Sequence, residues 1–120
     1  MENPVYYIQY AHARICTIIK KTKSFTDETT EIPLNEHDRK LQLIGARYYD
    51  TLIDATTHYE PYKIAQYLFE LAKHFHSFYQ ESPIIYNNKI NKKRLELILT
   101  TKNILKHALN ILGLSSPEKM

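Results

Sequence analysis

Tyr7, Tyr10, Arg14, Thr17 and Lys21 follow one another at spacings of three, four, three and four residues. On an α-helix that spacing places all five on one face. Phenol rings alternating with cations suit single-stranded RNA, because a ring stacks on an unpaired base and a cation holds a phosphate. The same pattern also arises when tyrosines pack against neighbouring helices and the cations are solvated, so the spacing alone leaves both readings open.

Other reactive residue types do not combine into a site. His74 and His76 are two apart, which on a helix points them to nearly opposite sides. His12 and Cys16 are four apart and share a face, yet a tetrahedral zinc site needs two further ligands and no second His/Cys pair supplies them. Cys16 falls mid-helix, where cysteine acts as a small buried hydrophobe rather than a nucleophile. The carboxylates show no spacing that marks an acid/base pair. Gly45 and Gly113 stand alone, which excludes a glycine-rich phosphate loop. No catalytic residue, metal ligand or bound cofactor is expected.

The elements that must hold the Tyr/Arg face are helices. Asn3-Pro4 opens the first, with Asn as cap and Pro at the first helical position. Val5, Ile8, His12, Ile15 and Ile19 form its apolar side, and it runs to about Lys23. Residues 24–33 read as a loop. Asn35 followed by Asp38 starts a second helix, with Leu41, Ile44 and Tyr48 inward. A short helix over 50–58 is expected to bury Leu52, Ile53 and Ala55. The strongest seam is Ile64, Leu68, Leu71, Phe75 and Phe78, predicting a helix from about Pro61 to Gln80. Residues 84–90 read as a loop containing Asn87-Asn88. The last helix spans about 91–112, with Leu95, Ile98, Leu105, Ala108 and Leu112 as its stripe, widened by Leu99 and Leu109. Gly113 is its stop, with Leu114 folding back on the last turn and a non-helical tail beyond. The expected fold is all-α, a bundle of four or five helices in one domain over residues 1–120.

Composition agrees. At 120 residues, 43% hydrophobic and 24% charged, the chain is long enough to bury a core. Two glycines and five prolines are too few for a small β-sandwich or barrel. No apolar run approaches the ~20 residues of a membrane span, and the first residues lack the basic and apolar regions of a signal peptide. The lone cysteine excludes an internal disulfide and fits a reducing, cytoplasmic setting. The net charge of +3 is unevenly spread: residues 1–23 carry +3, residues 24–87 carry −5 and residues 88–120 carry +5. If the two basic ends meet, they form a positive face able to meet phosphates.

Three blocks resemble one family. Asn3-Pro4-Val5-Tyr6-Tyr7-Ile8-Gln9-Tyr10-Ala11-His12-Ala13-Arg14 is similar to the segment of arginyl-tRNA synthetases just before their C-terminal anticodon-binding (DALR) domain. Residues 60–72, running on to Phe75-His76-Ser77-Phe78-Tyr79, resemble that domain's central helix, and 112–120 resembles its closing segment. The blocks occur in the family's order and span essentially the whole chain. The resemblance implies an α-helical bundle that grips the anticodon loop of tRNA-Arg, cut from a class I synthetase. The parent's catalytic domain, with its HIGH-type and KMSKS-type motifs, would lie upstream and use the ATP and arginine. It implies tRNA contacts at Tyr7, Tyr10, Arg14, Tyr79 and Met120; Lys21, from the spacing of the same helix face, and Lys119 of the tail add charge, and the complete set of apolar seams predicts a monomer. Lys119 departs from the family's usual Arg, which weakens any bidentate contact. Tyr49 stands where many members have Pro. The competing expectation is a helical protein-interaction domain with an incidental basic surface.

Overall fold

A computed structural model of the chain describes residues 3–29 and 32–120. Five helices account for most of it: α1 (Pro4–Thr22), α2 (Glu36–Ala46), α3 (Tyr48–Thr57), α4 (Tyr62–Glu81) and α5 (Lys92–Ile111). Three short strands, β1 (Glu28–Thr29), β2 (Ile85–Tyr86) and β3 (Lys89–Asn91), join them.

The helix ends form where local chemistry satisfies the free backbone groups. Asn3 Oδ1 accepts the Tyr6 amide at 3.0 Å, with Pro4 in the first turn. Asn35 and Asp38 make a complete capping box, side chain to amide in both directions at 2.9 and 2.8 Å. At the end of α5, Gly113 takes φ +74°, the Leu114 amide reaches the Leu109 carbonyl at 2.8 Å and the Gly113 amide reaches Asn110 at 3.0 Å. This pair of bonds is a Schellman close, and the half-buried Leu114 folds against the core as its position suggested.

Helix α4 is the axis of the bundle and touches each of the other four. Its seam Ile64, Leu68, Leu71, Phe75 and Phe78 is buried throughout. At about 1.5–3 kcal/mol for each large apolar side chain removed from water, this seam is the main adhesive of the fold. Ile8, His12 and Ile15 of α1 pack inward, as do Leu41 and Ile44 of α2 and Ile98, Leu105, Ala108 and Leu109 of α5.

Five details differ from the sequence reading. The stretch 84–90 is a hairpin, not a loop: Asn87 and Asn88 take φ of 51° and 60°, the conformation of a two-residue turn. Tyr86 pairs with Lys89 and Ile85 with Ile90 across it. The expected loop 24–33 contributes β1, which pairs in parallel with β3, so the bundle carries a small sheet of order β1-β3-β2. Strands of two or three residues are too short to show an alternating pattern. Ile53 is 48% exposed, because α3 turns Leu52 and Ala55 toward the bundle and no element covers Ile53's side. Leu99 is likewise exposed, while Thr101 and Ile104 are buried. Finally, α2 ends at Ala46 and Tyr48 opens α3, with Arg47 at φ −86°, ψ 0° between them.

Candidate nucleic-acid interface

Helix α1 lies beside α4, and the Tyr/Arg face of α1 forms one wall of the seam between them. Tyr7, Tyr10 and Arg14 meet His76, Tyr79 and Gln80 of α4 around a shallow cleft of about 340 Å³. Four residues singled out from the sequence therefore converge: Tyr7, Tyr10 and Arg14 from one helix and Tyr79 from another. His76 and Gln80 were missed. Their signal is present in the sequence, since 76, 79 and 80 share a helix face just off the Phe75–Phe78 seam.

The rings are not equivalent. Tyr7 is half-buried, its ring centroid 5.3 Å from Phe69 and 5.1 Å from His76. Burial raises the pKa of its hydroxyl. Tyr10 sits at the rim, 36% exposed, with its ring 5.8 Å from His76. Tyr79 stacks on the buried Phe75 at 6.2 Å. The Arg14 guanidinium lies over the Tyr79 ring, 4.7 Å from its centroid. This cation–π contact holds the guanidinium at the cleft without neutralising it. Among the described residues Arg14 makes no ion pair with a carboxylate, so its charge is available to an anion. Burial, and then the nearby Arg14, lower the pKa of His76, which favours its neutral form. Its buried Nε2 has no hydrogen-bond partner among the described residues. The cleft thus combines graded aromatic surfaces, one free planar cation and an amide, Gln80, that can both donate and accept.

Lys21 is exposed two turns beyond Arg14. It lines an adjoining hollow with Ile18, Tyr79, Pro83, Ile84 and Ile85, so Tyr79 is a wall common to both.

Lys119 and Met120 are exposed and line no part of the cleft. Their tail is nonetheless fastened to α1 across a separation of more than 100 residues. Gln9 Nε2 donates to the Ser115 carbonyl at 3.0 Å and to its Oγ at 3.2 Å. His12 Nδ1 lies 2.9 Å from the Pro117 carbonyl. A carbonyl only accepts, so the His12 proton sits on Nδ1. Burial lowers the His12 pKa despite that bond. Cys16 Sγ is 3.9 Å from the same nitrogen and is itself buried, which raises its thiol pKa. Gln9 and His12 were not foreseen in this clamping role, because nothing local in the sequence links them to residues 115–117.

No helix among the described residues is long and apolar enough to cross a membrane, and no group of three or more His, Cys, Asp or Glu among them is placed to hold a metal ion.

Residues 8–120 match the family model of the DALR anticodon binding domain. The chain is 39% identical over 129 aligned positions to an arginine–tRNA ligase of Lawsonia intracellularis, covering all of this chain and 24% of that protein. It is 39% identical over 121 positions to an arginine–tRNA ligase of Vesicomyosocius okutanii, covering 99% of this chain and 21% of that one. Its fold superposes on Thermus thermophilus arginyl-tRNA synthetase with a TM-score of 0.84 at 26% identity, over 95% of this chain and 21% of the other. The chain therefore spans about a quarter of the length of the relatives it matches.

Proposed function

The chain belongs to the DALR anticodon binding domain family, and from that premise we propose that the α1–α4 cleft takes the anticodon loop of tRNA-Arg. One observation carries this reading: Tyr7, Tyr10, Arg14 and Tyr79 converge from two helices on one cleft with an unneutralised guanidinium at its centre. Tyr10 offers the open ring on which a loop base stacks, Tyr7 and His76 support it from below, and Arg14 and Lys21 hold the phosphates on either side. The tail takes part as well. Lys119 and Met120 lie outside the cleft, on the tail fastened to α1 by Gln9 and His12, and on this reading the part of the loop that extends beyond the cleft meets them.

On this reading the 120 residues act as one domain and one monomer in the cytoplasm. They position tRNA for a catalytic domain of the same parent chain. ATP and arginine belong to that domain, and these residues need no cofactor of their own.

Titration with tRNA-Arg and with a second tRNA, over a range of salt concentrations, tests the proposal. Affinity should favour tRNA-Arg and fall steeply with salt, because each phosphate contact releases counterions. Removing Glu118–Met120 should weaken that binding with little change in the melt. Equal, salt-independent affinities for both RNAs would sink the reading.

A further inference from the structure

We propose that the RNA strand held at the α1–α4 cleft runs on past Tyr79 and Pro83 to the β2–β3 hairpin, where Tyr86 stacks a flanking base and Lys89 holds its phosphate. The inference rests on the RNA-binding role proposed above and extends it to a second, separate nucleotide position.

The path is drawn by shared walls. Tyr79 is common to the cleft and to the hollow that holds Lys21. Pro83 is common to that hollow and to a third, of about 530 Å³, bordered by Tyr86, Asn87 and Lys89. Each neighbouring pair of openings thus shares one wall residue, Tyr79 and then Pro83.

Each stage of the path offers the same pair of groups. Arg14 accompanies Tyr10 and Tyr79, Lys21 follows, and Lys89 accompanies Tyr86. Tyr86 and Lys89 are directly paired across the antiparallel hairpin, so their side chains rise from the same face. The Tyr86 ring is 51% exposed, an open surface at a fixed place. The hairpin is held from beneath: Ile90 is buried, its amide bonds the Asp27 carbonyl at 2.8 Å, and the Asn91 amide bonds Ile84 at 2.7 Å.

The acidic residue of β1, Glu28, is turned off this face. Glu28 pairs in register with Ile90, which is adjacent to Lys89, and so lies on the opposite face of the sheet from Tyr86 and Lys89. Arg94 also borders the third hollow, but Asp38 already neutralises it, leaving Lys89 as the cation that a phosphate meets there. A stripe of rings and cations is the chemistry that a single nucleic-acid strand meets.

The test is a double-mutant cycle. The anticodon stem-loop of tRNA-Arg is titrated into the chain by fluorescence anisotropy, with an abasic residue placed at each loop position in turn. Tyr86→Ala should weaken binding of the intact loop about tenfold. One abasic position outside the anticodon should weaken the parent by a similar factor, and there Tyr86→Ala should cause no further loss. Lys89→Gln should lower the slope of log affinity against log salt by about one. The melts of both variants should match the parent's. If Tyr10→Ala weakens binding and the Tyr86 and Lys89 variants do not, the cleft is right and the path is wrong. If every abasic position adds its full loss on top of Tyr86→Ala, the ring meets no base and the path is again wrong. If neither Tyr10→Ala nor Tyr86→Ala matters, or the parent binds no stem-loop, the RNA-binding reading fails and this inference with it.

Discussion

Tyr7 and Tyr10 are one turn apart on the same helix, yet they stand in different physical situations. Tyr7 contributes to packing through Phe69 and His76, whereas Tyr10 keeps a face toward solvent. Truncating them should therefore give different signatures. Tyr10→Ala should cost about 1–3 kcal/mol of RNA binding, the value of one stacked base, with an almost unchanged melt. Tyr7→Ala should lose about 2 kcal/mol of stability as well, because a half-buried ring and its aromatic contacts disappear. Thermal denaturation and RNA titration on the two variants separate these outcomes. A Tyr10→Ala protein that melts early but binds normally would identify Tyr10 as a packing residue. Arg14 is equally specific in geometry. Lysine in its place would keep the charge and lose the planar group that lies over Tyr79.

Between elements, one charged pair ties the bundle together. Asp38, in the first turn of α2, accepts from Nε and Nη2 of Arg94 in α5 at 3.1–3.2 Å, and Arg94 Nη1 donates to the Pro83 carbonyl at 2.9 Å. Both residues are buried. Asp38 also closes the capping box of α2, so one carboxylate starts a helix and joins it to a second helix and to the segment that leads into β2. Removing one partner of such a pair strands the other charge in the interior. Asp38→Ala is expected to destabilise the fold by about 3–5 kcal/mol, measured by denaturant unfolding. A change below 1 kcal/mol would mean that water reaches the guanidinium and the link is dispensable. By contrast Lys63, with Asp54 and Glu60, forms an open surface network between α3 and α4, and breaking it should change little.

For the whole molecule, the imidazoles of the buried His12 and the half-buried His76 predict how stability follows pH. The pKa of His12 and that of His76 are both lowered from 6.5, first by burial and then by neighbouring cations, Lys102 and Lys106 for His12 and Arg14 for His76. In the unfolded chain these groups take up protons near pH 6.5, whereas in the folded chain they remain neutral to lower pH. Stability is thus at its full value above about pH 6.5 and declines as pH falls from there toward the folded-state pKa values. The lowered carboxylates Glu36, Asp54 and Glu60 add their loss only in more acidic solution. Melting temperatures should therefore drop between pH 7.5 and pH 5.5. His12→Asn, which keeps a donor near the Nδ1 position for the Pro117 carbonyl, should flatten part of that slope. An unchanged slope in both His12→Asn and His76→Gln would assign the pH dependence to other groups.

Local rules made the helices legible in the sequence. The 3.6-residue period fixed which side of α1, α4 and α5 is apolar, and caps written in two to four consecutive residues, Asn3-Pro4, Asn35 to Asp38 and Gly113-Leu114, fixed where helices begin or end. The period also put Tyr7, Tyr10 and Arg14 on one face, since a helix repeats its geometry whatever it packs against. The resemblance carried by Asn3–Arg14 and by residues 112–120 supplied the family. What the period does not contain is the neighbour. That α4 brings His76, Tyr79 and Gln80 to face α1, that Asp38 finds Arg94 56 residues away, and that β1 pairs in parallel with β3 all depend on how the apolar seams dock. The same holds for the tail, whose path along α1 is set by hydrogen bonds from Gln9 and His12. Only when the seams close around α4 do groups far apart in the chain become adjacent, and it is that closure, driven by burial of apolar surface, that turns a row of tyrosines and cations into a cleft.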